Sequence, residues 1–150
     1  MSGNSDRQTK GTLLEVDDLR VTFPTRTGIV QAVRGVSFSL GRERLGIVGE
    51  SGSGKTTVAL SLMGYARPGC RITGGEINVN GKNMAALTER ERARLRGTDI
   101  AYVPQSAAAA FNPSSTIMEQ VIEVTRIHGL MPPEQARKRA VELFRALSLP

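Results

Sequence analysis

Apolar residues open the chain in short clusters: Leu13-Leu14-Glu15-Val16, then Leu19-Arg20-Val21-Thr22-Phe23, with Pro24 immediately after. Runs of this length, alternating or clustering apolar positions, predict a β-strand that Pro24 ends. Past the turn-rich stretch to Gly28, Ile29 to Val33 and Val36-Ser37-Phe38-Ser39-Leu40 predict two further short strands, the second with clean period-two alternation. A small antiparallel sheet is therefore expected before any helix. Leu45-Gly46-Ile47-Val48 is apolar without alternation, the pattern of a strand buried on both faces. From Thr56 to Met63 the apolar residues Val58, Ala59, Leu62 and Met63 take helical spacing, and Gly64 is placed to close the helix.

Downstream, Ile77 and Val79 alternate with polar residues between Gly74-Gly75 and Gly81, predicting an exposed-edge strand that ends in a turn. Glu89 to Arg96 reads as an arginine-rich helix. Ile100-Ala101-Tyr102-Val103 predicts a second buried strand stopped by Pro104, so that Gln105 lies just beyond a strand end. Ser106 to Ser115 contains the four alanines Ala107 to Ala110, but Asn112-Pro113-Ser114-Ser115 is a turn signal and the segment is expected to be a loop. Ile117, Val121 and Val124 predict a helix from Thr116 to about Gly129, and Pro132-Pro133 opens another through Leu147.

Composition narrows the picture. A chain of 150 residues, 39% hydrophobic and 23% charged, suffices for one domain with one core. No stretch reaches the roughly 18 consecutive apolar residues of a membrane span, and Met1 to Gly11 is polar, so a cytosolic chain without a signal peptide is expected. Cys70 is the sole cysteine, which rules out an intramolecular disulfide and a multi-cysteine metal site. The net charge of +6 would suit an anionic partner, yet in Glu89 to Arg96 acids and bases interleave without aromatic residues. A solvated helix face is the expectation there, not a nucleic-acid surface.

The strongest chemistry lies in Gly49-Glu50-Ser51-Gly52-Ser53-Gly54-Lys55-Thr56, which follows the spacing G-x-x-x-x-G-K-[ST]. Backbone N–H groups must converge on phosphate oxygens, and glycines at 49, 52 and 54 permit the approach that a β-carbon would obstruct. Lys55 can reach terminal phosphates as a point charge, the Thr56 hydroxyl can ligate magnesium, and the start of the following helix adds partial positive charge. ATP with Mg2+ is the expected ligand. The acidic pair Asp17-Asp18 ends an apolar run, as a magnesium-binding carboxylate site would, but it precedes the loop by some thirty residues and is read as a surface turn.

Leu45 to Thr57 resembles the Walker A segment of ATP-binding cassette (ABC) subunits, and Gly75-Glu76-Ile77 with Gly81 resembles the strand and turn that follow it. Tyr102-Val103-Pro104-Gln105 is similar to the Q-loop of that family, 50 positions after Lys55. Phe23, the inserted Pro24 to Gly28, Ala32-Val33, Gly49-Glu50-Ser51-Gly52 and Asn112-Pro113 look like the ATPase subunits of dipeptide, oligopeptide and nickel importers. The resemblance implies an α/β P-loop NTPase: an ABC ATPase core with an amino-terminal antiparallel β-subdomain and the start of a helical subdomain, truncated to the amino-terminal portion. The implied organisation is a polar tail over 1–12, the β-subdomain and P-loop core over 13–105, and the helical start over 106–150. It implies nucleotide contacts from Gly49 to Thr57, including Glu50, Ser51, Ser53 and Thr57, catalytic roles for Lys55 and Gln105, and magnesium at Thr56 and Gln105. Phe23 is either the aromatic that stacks on adenine or a core residue at a strand end. His128, the only histidine, is a helix-surface residue on this reading.

The implied partners are membrane permease subunits and a second ATP-binding subunit in a head-to-tail dimer, on the cytoplasmic face of the inner membrane, with no nucleic acid. Ser106 to Ala110 departs from the commoner family phrase. The sequence contains no Leu-Ser-Gly-Gly-type signature, no Walker B strand with its carboxylates and no later histidine. Weak or absent ATP turnover by this chain alone is therefore expected. Two alternatives remain open at this point: a nucleotide-binding fragment without catalysis, and a soluble cassette ATPase acting on nucleic acid.

Overall fold

A computed structural model describes residues 11–106 and 110–149. Most of the expected polar tail, and Ala107–Ala109 of the expected loop, lie outside the described residues. The chain divides into two compact units, one ending at Tyr102 and the other beginning at Val103.

The first unit is built on a four-stranded antiparallel sheet with strands β1 (Leu14–Thr25), β2 (Gly28–Leu40), β3 (Arg71–Val79) and β4 (Lys82–Asn83) in the order β2-β1-β3-β4. The antiparallel sheet expected at the start of the chain is present, with longer strands. The two predicted segments of β2 form one strand, and Pro24 continues β1 instead of ending it, paired with Ile29. Pairing of β1 with β3 stops at Thr22, so Pro24 has a neighbour on one side only and its missing N–H is tolerated. Strand β3 is not a sheet edge along its whole length, because β4 folds back on it through Asn80-Gly81 and covers Asn78 and Val79.

Asp17-Asp18 is a bulge inside β1, not a surface turn. Two residues there face Ser37 alone, and Asp18 takes a left-handed φ of 45°. Its N–H donates to Ser37 Oγ at 2.8 Å, and its carboxylate accepts from Arg20 at 2.8 and 2.9 Å. On the other flank Gly75 (φ 87°) has no room for a side chain, since a β-carbon would stand 2.4 Å from the Asp18 carbonyl oxygen.

One face of the sheet buries Leu14, Val16, Leu19, Val21, Val33, Ile77 and Val79 together with Met84. Helix α1 (Lys55–Ser61) adds Val58 to this cluster, and α2 (Glu89–Leu95) adds Leu95. Removing such side chains from water is worth about 1.5–3 kcal/mol each. Thr88 and Glu91 start α2 with a capping box, each side chain bonding the other's backbone N–H.

The two strands expected to be buried on both faces are not formed. Leu45 to Val48 is irregular, with Val48 92% exposed, and Tyr102 and Val103 are likewise exposed, Ile100 making only an isolated parallel bridge to Arg96. A strand of that kind exists only between paired neighbours under covered faces, and no described strand pairs with either segment.

In the second unit, α3 (Ile117–Ile127) packs on α4 (Pro133–Ala146), close to the expected bounds. Ala136 and Ala140 are buried. Thr116 and Glu119 form a second capping box, and Pro133 occupies the first turn of α4, where no N–H is needed. His128 is half-buried at the C-cap of α3 rather than fully on its surface. Among the described residues no helix is long and apolar enough to cross a membrane.

Candidate functional site

The glycine loop runs from Gly49 into α1, and its shape follows from backbone angles that other residues resist. Gly52 (φ 80°) and Gly54 (φ 92°) are both left-handed, a conformation that costs an L-residue about 1–2 kcal/mol. Between them Ser53 N–H donates to the Glu50 carbonyl at 3.2 Å, closing a turn. Gly54 is the N-cap of α1, and the helix starts at once with Val58 N–H donating to Gly54 O at 2.9 Å. The seat of this corner is β2: a β-carbon on Gly54 would stand 2.7 Å from the Ala32 carbonyl oxygen.

Lys55 folds back over the loop it follows. Its ammonium donates to Gly49 O at 2.8 Å, Glu50 O at 2.6 Å and Ser53 Oγ at 3.4 Å. One positive charge is thereby held across the loop by neutral carbonyls. No side chain caps the start of α1, and no acidic residue lies in its first turn, an arrangement that suits an anion. Glu50, Ser51, Ser53 and Thr56 are exposed, Thr57 is half-buried, and the Thr57 carbonyl accepts from the buried Ser61 hydroxyl at 2.8 Å. The cradle of left-handed glycines, its cationic lid and the exposed Thr56 hydroxyl fit a magnesium-bound polyphosphate.

Residues 49–57 lie together in the first unit. Phe23 is also in that unit, half-buried in β1 opposite Val30. Gln105 belongs to the second unit, exposed in a bend just after Pro104. What the sequence pattern did not disclose is the attachment of α2. Arg92 and Arg96, expected on a solvated face, keep only 22% and 24% of their side-chain surface exposed. Both pair with Glu89, from positions three and seven residues on, and they hold its carboxyl below the usual glutamate range, Arg96 more than Arg92. That spacing, which puts all three on one helix face, was the available signal.

The sequence model of the family described as ABC transporter matches residues 33–150. The oligopeptide transport ATP-binding protein OppD of Salmonella typhimurium is 42% identical over 144 residues, covering 95% of this chain and 43% of that protein. OppD of Bacillus subtilis is 41% identical over 92% of this chain and 39% of its own length, and the B. subtilis dipeptide transport ATP-binding protein DppD is 38% identical over 92% and 42%. The chain thus spans about two fifths of the length of these relatives. Among solved structures, the dimeric post-hydrolysis state of the ATP-binding cassette MJ0796, bound to ADP and Pi, is similar with a TM-score of 0.67 at 22% identity, over 91% of this chain and 58% of that one. That likeness bears out the mixed α/β cassette fold for the part present.

Proposed function

The chain belongs to the ABC transporter family, and on that premise we propose that it is an ATP-binding portion of the subunit that energises import of peptides or similar solutes. The observation that carries this reading is the loop from Gly49 to Thr57, with Lys55 drawn across it by the Gly49 and Glu50 carbonyls. Gly49, Gly52 and Gly54 let backbone N–H groups approach phosphate, Glu50, Ser51, Ser53 and Thr57 line the cradle, Lys55 bears on the terminal phosphates and the Thr56 hydroxyl holds Mg2+. On this reading Gln105 would be the residue that contacts magnesium and the attacking water, and Phe23 would be the aromatic that stacks on adenine. When bound, ATP supplies the transferable phosphoryl group and Mg2+ neutralises its charge.

The relatives named above, peptide transport ATP-binding proteins, support a peptide-type solute. Permease subunits at the cytoplasmic face of the inner membrane are the proposed partners, with a second ATP-binding subunit in a head-to-tail dimer. Residues 13–105 form the β-subdomain and P-loop core on this reading, and 106–150 the start of the helical subdomain. This stretch holds neither a Walker B carboxylate nor a signature motif, so we expect nucleotide binding with little turnover.

Titration with a fluorescent ATP analogue and Mg2+ tests the reading. Micromolar binding is expected, weakened about a hundredfold in Lys55→Ala by loss of a charge-assisted contact worth ~3 kcal/mol. Binding unaffected by Lys55→Ala would remove the loop from the site.

A further inference from the structure

The turn that trails α1 accepts hydrogen bonds from the side chain of Arg96, at the C-terminal end of α2. Gly64 (φ 62°) closes α1, its N–H donating to Ser61 O at 2.8 Å and Tyr65 N–H to Leu60 O at 3.3 Å. The next carbonyls receive Arg96, the C-cap of α2: Nε donates to Met63 O at 3.0 Å and Nη2 to Gly64 O at 3.4 Å. Arg96 Nη1 donates to Glu89, which fixes the guanidinium plane from its far side. A planar guanidinium can serve several acceptors at once, and a cation there also suits the negative end of the helix.

Arg92, one turn earlier and inside α2, gives a contrast. Its Nη1 donates to Met84 O at 3.1 Å and Leu87 O at 2.9 Å, both in the segment between β4 and α2, and its Nε to Glu89 at 3.1 Å. These bonds of Arg92 reach no carbonyl at the end of α1, although its Cδ lies 2.5 Å from the place a β-carbon on Gly64 would take. The small Gly64 therefore makes room for one arginine while the other holds its carbonyl.

Helix α1 has seven residues, a rod about 10 Å long, with Lys55 at one end and the Arg96-bonded turn after the other. A rod that short moves as one body. We propose that Arg96 is a positioning residue for the phosphate loop, fixing the trailing end of α1 so that Lys55 and Thr56 at its leading end stay where a nucleotide needs them. This assignment rests on the reading of the loop as a nucleotide site. Arg96 touches no nucleotide; it acts through α1, and the loss of geometry, not of charge at the phosphate, is what its removal should produce.

The test uses the whole chain, a fluorescent ATP analogue with Mg2+, and amide hydrogen exchange read segment by segment. Arg96→Gln should weaken binding by about tenfold, on the order of one hydrogen-bonded anchor. It should also speed exchange of α1 amides such as Val58 and Leu62 while amides of β1 and β3 keep wild-type rates. Arg96→Lys, which keeps the charge and one donor direction, should recover part of the affinity. Arg92→Gln, which loses the Glu89 pair but leaves the α1 carbonyls served, should bind within about twofold of wild type. Unchanged affinity in Arg96→Gln with binding intact in the wild type overturns this assignment alone. So does an equal loss in Arg92→Gln, or exchange that accelerates equally in the sheet, since either reduces Arg96 to general stability. A wild-type chain that fails to bind the analogue overturns the nucleotide reading, and this assignment with it.

Discussion

Two apolar stretches of this chain meet opposite fates. Ile77 and Val79 in β3 are 5% and 4% exposed, whereas Ile47 and Val48, just before the glycine loop, are 45% and 92% exposed. Hydrophobicity is similar in both. The difference lies in pairing: β3 has β1 on one side and β4 on the other, and its apolar face meets Leu14, Val16 and Met84, while Leu45 to Val48 has no described strand beside it. Apolar composition states that a segment can gain from burial. Only a partner delivers that gain.

The largest effect that would test this contrast is Leu19→Ala. Leu19 is fully buried in the sheet core, so denaturant unfolding should show a loss of about 3 kcal/mol from transfer and cavity terms together. A loss below about 1 kcal/mol would mean that the core is looser than its burial implies.

Next comes Gly54→Ala, which puts a β-carbon 2.7 Å from the Ala32 carbonyl and forces a left-handed φ on alanine. About 2 kcal/mol of stability should go, and binding of the ATP analogue should go with it, whereas Ser51→Ala, at an exposed position of the same loop, should leave the fold unchanged.

A smaller, pH-dependent effect should come from Glu89. Arg96 and Arg92 lower its pKa in the folded chain, so its contribution is present above the unfolded glutamate value of about 4.3 and is lost as pH falls through the lower folded value. The carboxylate is largely exposed, which limits the effect to at most about 1 kcal/mol. Thermal melts between pH 7 and pH 3 should show a shallower decline for Glu89→Gln than for wild type; parallel curves would exclude the ion pair as a contributor.

The smallest effect expected is that of Val48→Ser, within about 0.5 kcal/mol of wild type, because the side chain is already in water. A loss comparable to that of Leu19→Ala would show that Val48 is buried in solution, and the contrast between the two stretches would collapse.

Local chemistry was legible from the residues. The glycine loop, the start of α1 just after it, the β-hairpin around Gly28 and the helix pair in the second unit depend on angles and periodicities that neighbouring residues set for themselves. Thr88-x-x-Glu91 and Thr116-x-x-Glu119 are helix-start signals of the same local kind, and the structure uses both. The fusion of β2 into one strand and the survival of Pro24 inside β1 were not legible, since each depends on which neighbour lies alongside. So does the conversion of Asp17-Asp18 from a turn into a bulge, which required Ser37 opposite and Gly75 behind.

By itself, then, the sequence determined that a tight glycine loop would run from residue 49 into a helix, because that loop is made by backbone angles glycine alone adopts freely. Tertiary structure decided what the loop rests on and what holds its helix: the Ala32 carbonyl beneath Gly54 and the Arg96 guanidinium behind Gly64. Those contacts join residues 22 and 32 positions apart, and a contact at that range is set by how the sheet and helices stack, which no local pattern encodes.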